Sequence, residues 1–123
     1  MNLYSINSGN FKLDGGVMFG VVPKSLWQKS NPADANNMID LTTRCLLIED
    51  GNRLVLIDTG MGNKQSSKFF GYYYLSGNDS LEKSLKQFGF HTIDITDVFM
   101  THLHFDHCGG SIQWNADKTG YEP

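Results

Sequence analysis

Apolar and polar positions fall in short strand-sized runs for the first half of the chain, and a helical period appears once, later. Leu3 to Ile6 is a short strand. Phe11 to Val22 sets Gly15, Gly16 and Gly20 among Val17, Met18, Phe19, Val21 and Val22, and glycines inside an apolar extended run predict bends or bulges. Residues 28–40, with Asn31-Pro32, Asp34, Asn36 and Asn37, are polar and read as loop. The clearest local unit is a hairpin. Leu41 to Glu49 is rich in β-forming residues, Asp50-Gly51 is a turn dipeptide, and Arg53 to Ile57 runs back. Asp58-Thr59-Gly60-Met61-Gly62 then closes the second strand in a glycine-rich loop.

Lys64 to Tyr74 reads as loop or short helix. Asp79 to Phe88 is the helix: Leu81, Leu85 and Phe88 share one face, Asp79 is placed to cap with Glu82 three residues on, and Gly89 stops it. Ile95 to Thr101 follows as a strand, and His102 to Gly110 leaves from its end. No internal repeat is visible. The order strand–helix–strand predicts an α/β (α+β layered) fold, with both faces of a sheet partly covered.

Composition narrows the class. At 123 residues and 40% hydrophobic side chains, one domain with a buried core is expected, rather than disorder or a disulfide scaffold. No apolar run approaches the ~20 residues of a membrane helix. The net charge of −3, from 10 basic and 13 acidic residues, gives no electrostatic reason to bind nucleic acid. Met1 to Asn7 lacks the pattern of a secretory leader, and Cys45 and Cys108 stand in unrelated settings as ordinary thiols. A cytoplasmic address follows as the expectation.

Three of the four histidines fall within six positions, in Thr101-His102-Leu103-His104-Phe105-Asp106-His107-Cys108-Gly109-Gly110. Near a strand end residues i and i+2 point the same way, so His102 and His104 can converge on one ion. Asp106 and His107 can reach a second position as the chain turns, while Leu103 and Phe105 face the packed side. Nitrogen and carboxylate donors suit zinc first, and also iron, manganese or cobalt. Two ions about 3.5–4 Å apart activate water and polarise a carbonyl or phosphoryl group. The bland alternative is a surface histidine cluster without ligand role.

His102-x-His104-x-Asp106-His107 resembles the metal motif of the metallo-β-lactamase fold superfamily, and Leu56-Ile57-Asp58-Thr59-Gly60 resembles that family's earlier strand-end motif. Leu13 to Gly20 and the form His-Leu-His-Phe-Asp-His-x-Gly-Gly resemble its lactonase-like branch. The resemblance implies that residues 1–123 are the N-terminal half of an αββα sandwich, a mainly antiparallel mixed sheet with a flanking helix, lacking the second half. It implies two divalent metals, with His102 and His104 on the first and Asp106 and His107 on the second. The remaining ligands, later histidines and a bridging aspartate, lie beyond Pro123. Asp58 is then an orienting partner of a ligand histidine, and Asp106 also handles the leaving-group proton.

The expected function is metal-dependent hydrolysis of an ester, lactone or similar acyl bond by a metal-bound hydroxide. The alternative is a non-catalytic metal-binding fragment, inactive until the second half or another copy pairs with it; a glyoxalase II-type thioesterase and a nuclease of the same superfamily rank lower. Among weaker candidates, His91 reads as a surface or capping residue and Cys108 as small packing. Met18, Phe19 and Trp27 read as core or lip, Tyr72 to Tyr74 as structural, and Asp94 and Asp97 as solvated loop acids.

Overall fold

A computed structural model describes all 123 residues, Met1 to Pro123. The chain opens with β1 (Asn2–Asp14), turns through two short helices, α1 (Gly15–Phe19) and α2 (Lys24–Trp27), and returns as β2 (Met38–Asp50). A two-residue turn at Gly51-Asn52 leads into β3 (Arg53–Ile57). Gly51 alone of this pair has positive φ, the mark of a II′-like hairpin turn. After α3 (Ser67–Gly71) and α4 (Leu81–Gln87), β4 (Asp97–Phe99) pairs parallel to β3 and completes the sheet order β1-β2-β3-β4. The last elements are α5 (Phe105–Cys108) and a small two-stranded ribbon, β5 (Gln113–Trp114) with β6 (Tyr121–Glu122). The sheet is mixed and mainly antiparallel, as the family resemblance implies. No helix is long and apolar enough to cross a membrane.

β1 is far longer than the predicted Leu3–Ile6 segment, and a bulge at Ser8 explains why its pattern is hard to read. The pairing with β2 slips between Asn7 and Gly9, so the extra residue exchanges the faces of the strand. Before the bulge the even positions point inward, with Ile6 fully buried. After it the odd position Phe11 is buried. Ser8 fills the irregularity, its hydroxyl 2.9 Å from Thr43 Oγ1 and 3.0 Å from the Thr43 carbonyl. From Gly15 onward the run is helix rather than bent strand, because the Asp14 carboxylate accepts from the Val17 amide and starts α1.

The core sits between one face of the sheet and α4. Ile6, Cys45, Leu47, Leu54, Leu56 and Leu85 form it, with Tyr4, Leu81, Phe90 and Ile95 packed around them. The helix is capped by Ser80, whose hydroxyl accepts from the Lys83 amide. Asp79 is drawn away, accepting instead from the side-chain amides of Asn7 and Asn10 at 2.9 and 2.8 Å. The predicted stop is observed: Gly89 has φ +83°, and the bonds Gly89 N–H to Lys86 O and Phe90 N–H to Leu85 O close a Schellman motif.

The element order predicts that both faces of the sheet are partly covered, and α4 covers one of them. Register places Leu3, Leu46, Ile48, Val55, Ile57 and Phe99 together on the other, where Leu3, Leu46 and Phe99 are exposed. Asp97 is no free loop acid either. It lies on β4 and takes a two-pronged ion pair from Arg53, at 2.8 and 3.2 Å.

Candidate metal centre

The site is built on two loops that leave the C-terminal ends of the parallel neighbours β3 and β4. β4 ends at Phe99, two residues short of the predicted strand, so His102 lies in loop and His104 is the N-cap residue of α5. Strand alternation therefore does not align the two rings; the loop and the first turn of α5 do. His102 Nε2 lies 3.1 Å from His104 Nδ1, and the ring centroids of His102 and His107 are 4.0 Å apart. Asp106 Oδ2 is 3.5 Å from His107 Nε2.

The glycines after the motif hold the two loops together. Thr59 N–H and its hydroxyl donate to the His107 carbonyl at 2.8 and 3.1 Å, and Gly110 N–H donates to Gly60 O at 3.0 Å. A Cβ on Gly109 would stand 2.2 Å from Met61 O, and one on Gly110 2.3 Å from Thr59 O. Only glycine permits backbone to approach backbone this closely. The Lys64 ammonium also donates to the Gly109 carbonyl.

Asp58 stands at the centre of this junction. It is 7% exposed and has φ +60°, a left-handed conformation that aspartate tolerates better than most residues. One carboxylate oxygen accepts from the Thr101 amide at 2.9 Å. The other lies 2.8 Å from the Thr101 hydroxyl and 2.8 Å from His107 Nδ1. Burial pushes the Asp58 carboxyl upward, but the hydrogen bonds from His107 and Thr101 outweigh it and hold the group below the usual carboxylate range. An ionised Asp58 only accepts. Neutral His107 therefore carries its proton on Nδ1 and turns the Nε2 lone pair toward Asp106.

The donor set suits divalent metal in chemistry and in spacing, as two pairs. With Zn–N bonds of about 2.0–2.1 Å, two tetrahedral ligands of one ion stand roughly 3.3 Å apart. The His102–His104 and Asp106–His107 separations of 3.1 and 3.5 Å bracket that value. No three His, Cys, Asp or Glu side chains are arranged around one point. Beside the second pair lies a cavity of about 130 Å³ whose walls include Thr43, Cys45, Asp58, Asp106 and His107. At ~30 Å³ per water, it has room for an ion and a few waters.

The other candidates separate clearly. Leu103 does not face the packed side; it is 79% exposed. Phe105 does pack, edge-on to Phe69 of α3 and against Tyr73, with centroids 5.3 and 4.6 Å away. Tyr72 and Tyr74 are exposed. Phe19 stacks on buried Trp27. The His91 amide donates to Asp94, capping a short 3-10 turn. Cys45 and Cys108 are both free thiols, and burial raises the Cys45 pKa. Tyr73 is structural, as the sequence reading has it, whereas Thr101, Lys64 and Phe69 escape that reading. Thr101 alone carried a signal, as a hydroxyl directly before the first histidine.

Relatives place this geometry. Residues 39–115 match the metallo-beta-lactamase superfamily. An N-acyl homoserine lactonase of a Bacillus species is 30% identical over 84 residues, covering 60% of this chain and 34% of the lactonase. The crystal structure of a probable metal-dependent hydrolase from Staphylococcus aureus superposes with a TM-score of 0.82 at 40% identity, over 89% of this chain and 40% of that one. AidC, a dizinc quorum-quenching lactonase bound to its product, superposes with a TM-score of 0.63 at 29% identity, over 90% of this chain and 36% of AidC. The chain thus spans about a third of the Bacillus lactonase. The matched span takes in both strand-end loops, the Asp58 junction and all four donors, and on this ground the chain belongs to the metallo-beta-lactamase superfamily.

Proposed function

We propose that this chain forms the N-terminal part of a metal-dependent hydrolase that opens a lactone, ester or similar acyl bond. The observation that carries the reading is the pairing of donors: His102 with His104, and Asp106 with His107, each at the separation two ligands of one ion keep. Divalent metal held there, zinc in the first instance, supplies Lewis-acid polarisation of a carbonyl and acidifies water. Ligands from outside residues 1–123 complete each coordination shell.

The residues of the chain divide the remaining work. His107 is held by Asp58 with its Nε2 lone pair directed inward. To Asp106, partly buried beside it, this reading assigns transfer of a proton from the attacking water to the leaving alkoxide. Phe105, braced by Phe69 and Tyr73, fixes the turn of α5 from which Asp106 and His107 project. The relatives that are lactonases support the acyl-bond class.

The test is metal analysis together with a panel of lactones, thioesters and phosphotriesters. Lactone hydrolysis that is lost on chelation and in His104→Ala supports the reading. Hydrolysis that survives both overturns it. A second reading is favoured by the absence of a three-donor cluster: the chain by itself binds metal weakly and is catalytically silent. Metal titration and sedimentation decide this. A folded monomer with two tightly held ions contradicts the silent reading.

A further inference from the structure

Thr101 has a hydroxyl with one proton and two partners. Its Oγ1 lies 2.8 Å from one oxygen of Asp58 and 3.0 Å from the other, and 3.0 Å from His102 Nδ1. The carboxylate is an acceptor only, so the hydroxyl proton goes to Asp58. The oxygen is then left to accept, and the only donor available at His102 Nδ1 is an N–H. From this we infer that Thr101 is a positioning residue: its hydroxyl joins Asp58 to His102, fixes the proton on Nδ1 and leaves Nε2 free to bind metal.

The backbone supports the same role. Thr101 N–H donates to Asp58 at 2.9 Å, so main chain and side chain clamp one carboxylate and the hydroxyl is held in place. Asp58 thereby orients two histidines, His107 directly and His102 through the threonine. The free Nε2 of His102 faces His104 Nδ1 at 3.1 Å, so in the metal-free chain His104 donates into it from Nδ1. This inference rests on the metal-binding reading for its purpose, but the tautomer it assigns is a property of the metal-free protein.

The experiment uses the 123-residue chain with ¹⁵N-labelled histidine, metal-free and above the histidine titration range. Long-range ¹H–¹⁵N correlation is expected to show neutral His102 protonated at Nδ1, and Thr101→Val, which keeps shape and loses the hydroxyl, frees it to both tautomers. Thr101→Ser restores the wild-type pattern. Competition between protein and a chelator for zinc is expected to show Thr101→Val weakened about 10–100-fold, with Thr101→Ser near wild type. A wild-type His102 protonated at Nε2, or a tautomer unchanged in Thr101→Val, overturns the inference. Should the valine variant fail to fold, the wild-type and serine spectra decide. If zinc does not bind at all while the tautomer follows the hydroxyl, the positioning role stands and metal binding by residues 1–123 alone falls. If zinc binds equally to wild type and Thr101→Val, the metal reading stands and the positioning role falls.

Discussion

Replacing Asp58 by asparagine tests the junction at its centre. Asparagine matches aspartate in size and accepts φ +60° with little cost, so the change isolates charge and acceptor chemistry. The amide presents one oxygen where the carboxylate presented two. With that oxygen kept for Thr101, the NH₂ group meets the N–H at His107 Nδ1, 2.8 Å away, donor against donor. His107 must turn or move its proton to Nε2, the nitrogen that faces Asp106. A hydrogen bond to a charged group contributes about 1.5–3 kcal/mol. The His107 side chain is 36% exposed, and solvent screening reduces its share to about 1 kcal/mol. The two Thr101 bonds fall from charged to neutral at about 1 kcal/mol each. The loss is therefore about 3 kcal/mol. At about 2.1 cal/mol/K of unfolding entropy per residue over 123 residues, Tm falls by about 12 °C. Thermal unfolding followed by circular dichroism reads this directly. A variant within about 0.5 kcal/mol of wild type refutes the reasoning, since that is the range of an uninvolved surface change.

The same carboxylate sets an acid dependence. Its pKa is depressed in the folded state, so its stabilisation is complete above the unfolded value of about 3.9 and is lost as pH falls through the folded value. The stability gap between wild type and Asp58→Asn narrows below about pH 4; urea midpoints along a pH series that show it widening contradict this. Gly110→Ala places a Cβ 2.3 Å from the Thr59 carbonyl, and a backbone atom cannot step aside cheaply; urea denaturation is expected to show a loss of about 2–3 kcal/mol. Deleting Ser8 removes the bulge and sends either Ile6 or Phe11 to the open face. Loss of the dispersed amide NMR spectrum is expected, and a native-like spectrum contradicts the register assignment.

The parts of this molecule that were legible in the sequence are those fixed by short-range chemistry. The Asp50-Gly51 hairpin, the helix around Leu81 and Leu85, its stop at Gly89 and the histidine cluster all follow from neighbours within a few residues. β1 is legible only over Leu3 to Ile6, because the extra residue at Ser8 breaks the alternation that marks a strand. The cap at Ser80 was misplaced by one because Asp79 has partners, Asn7 and Asn10, some 70 positions away. The site divides in the same way. Its donors are close in sequence and Asp58 is marked by its strand-end motif, whereas Lys64 and Phe69 reach it only through the fold. Leu103 was misassigned because α5 begins immediately after His104 and the strand period ends before it.

Since a single carboxylate grips His107 on one side and, through Thr101, His102 on the other, the two histidine arms are mechanically one part. Damage at the hub does not accumulate arm by arm. Once Asp58→Asn has loosened both, Thr101→Val has little left to loosen, and a double-mutant cycle between them returns a coupling energy of about 0.5–3 kcal/mol rather than zero.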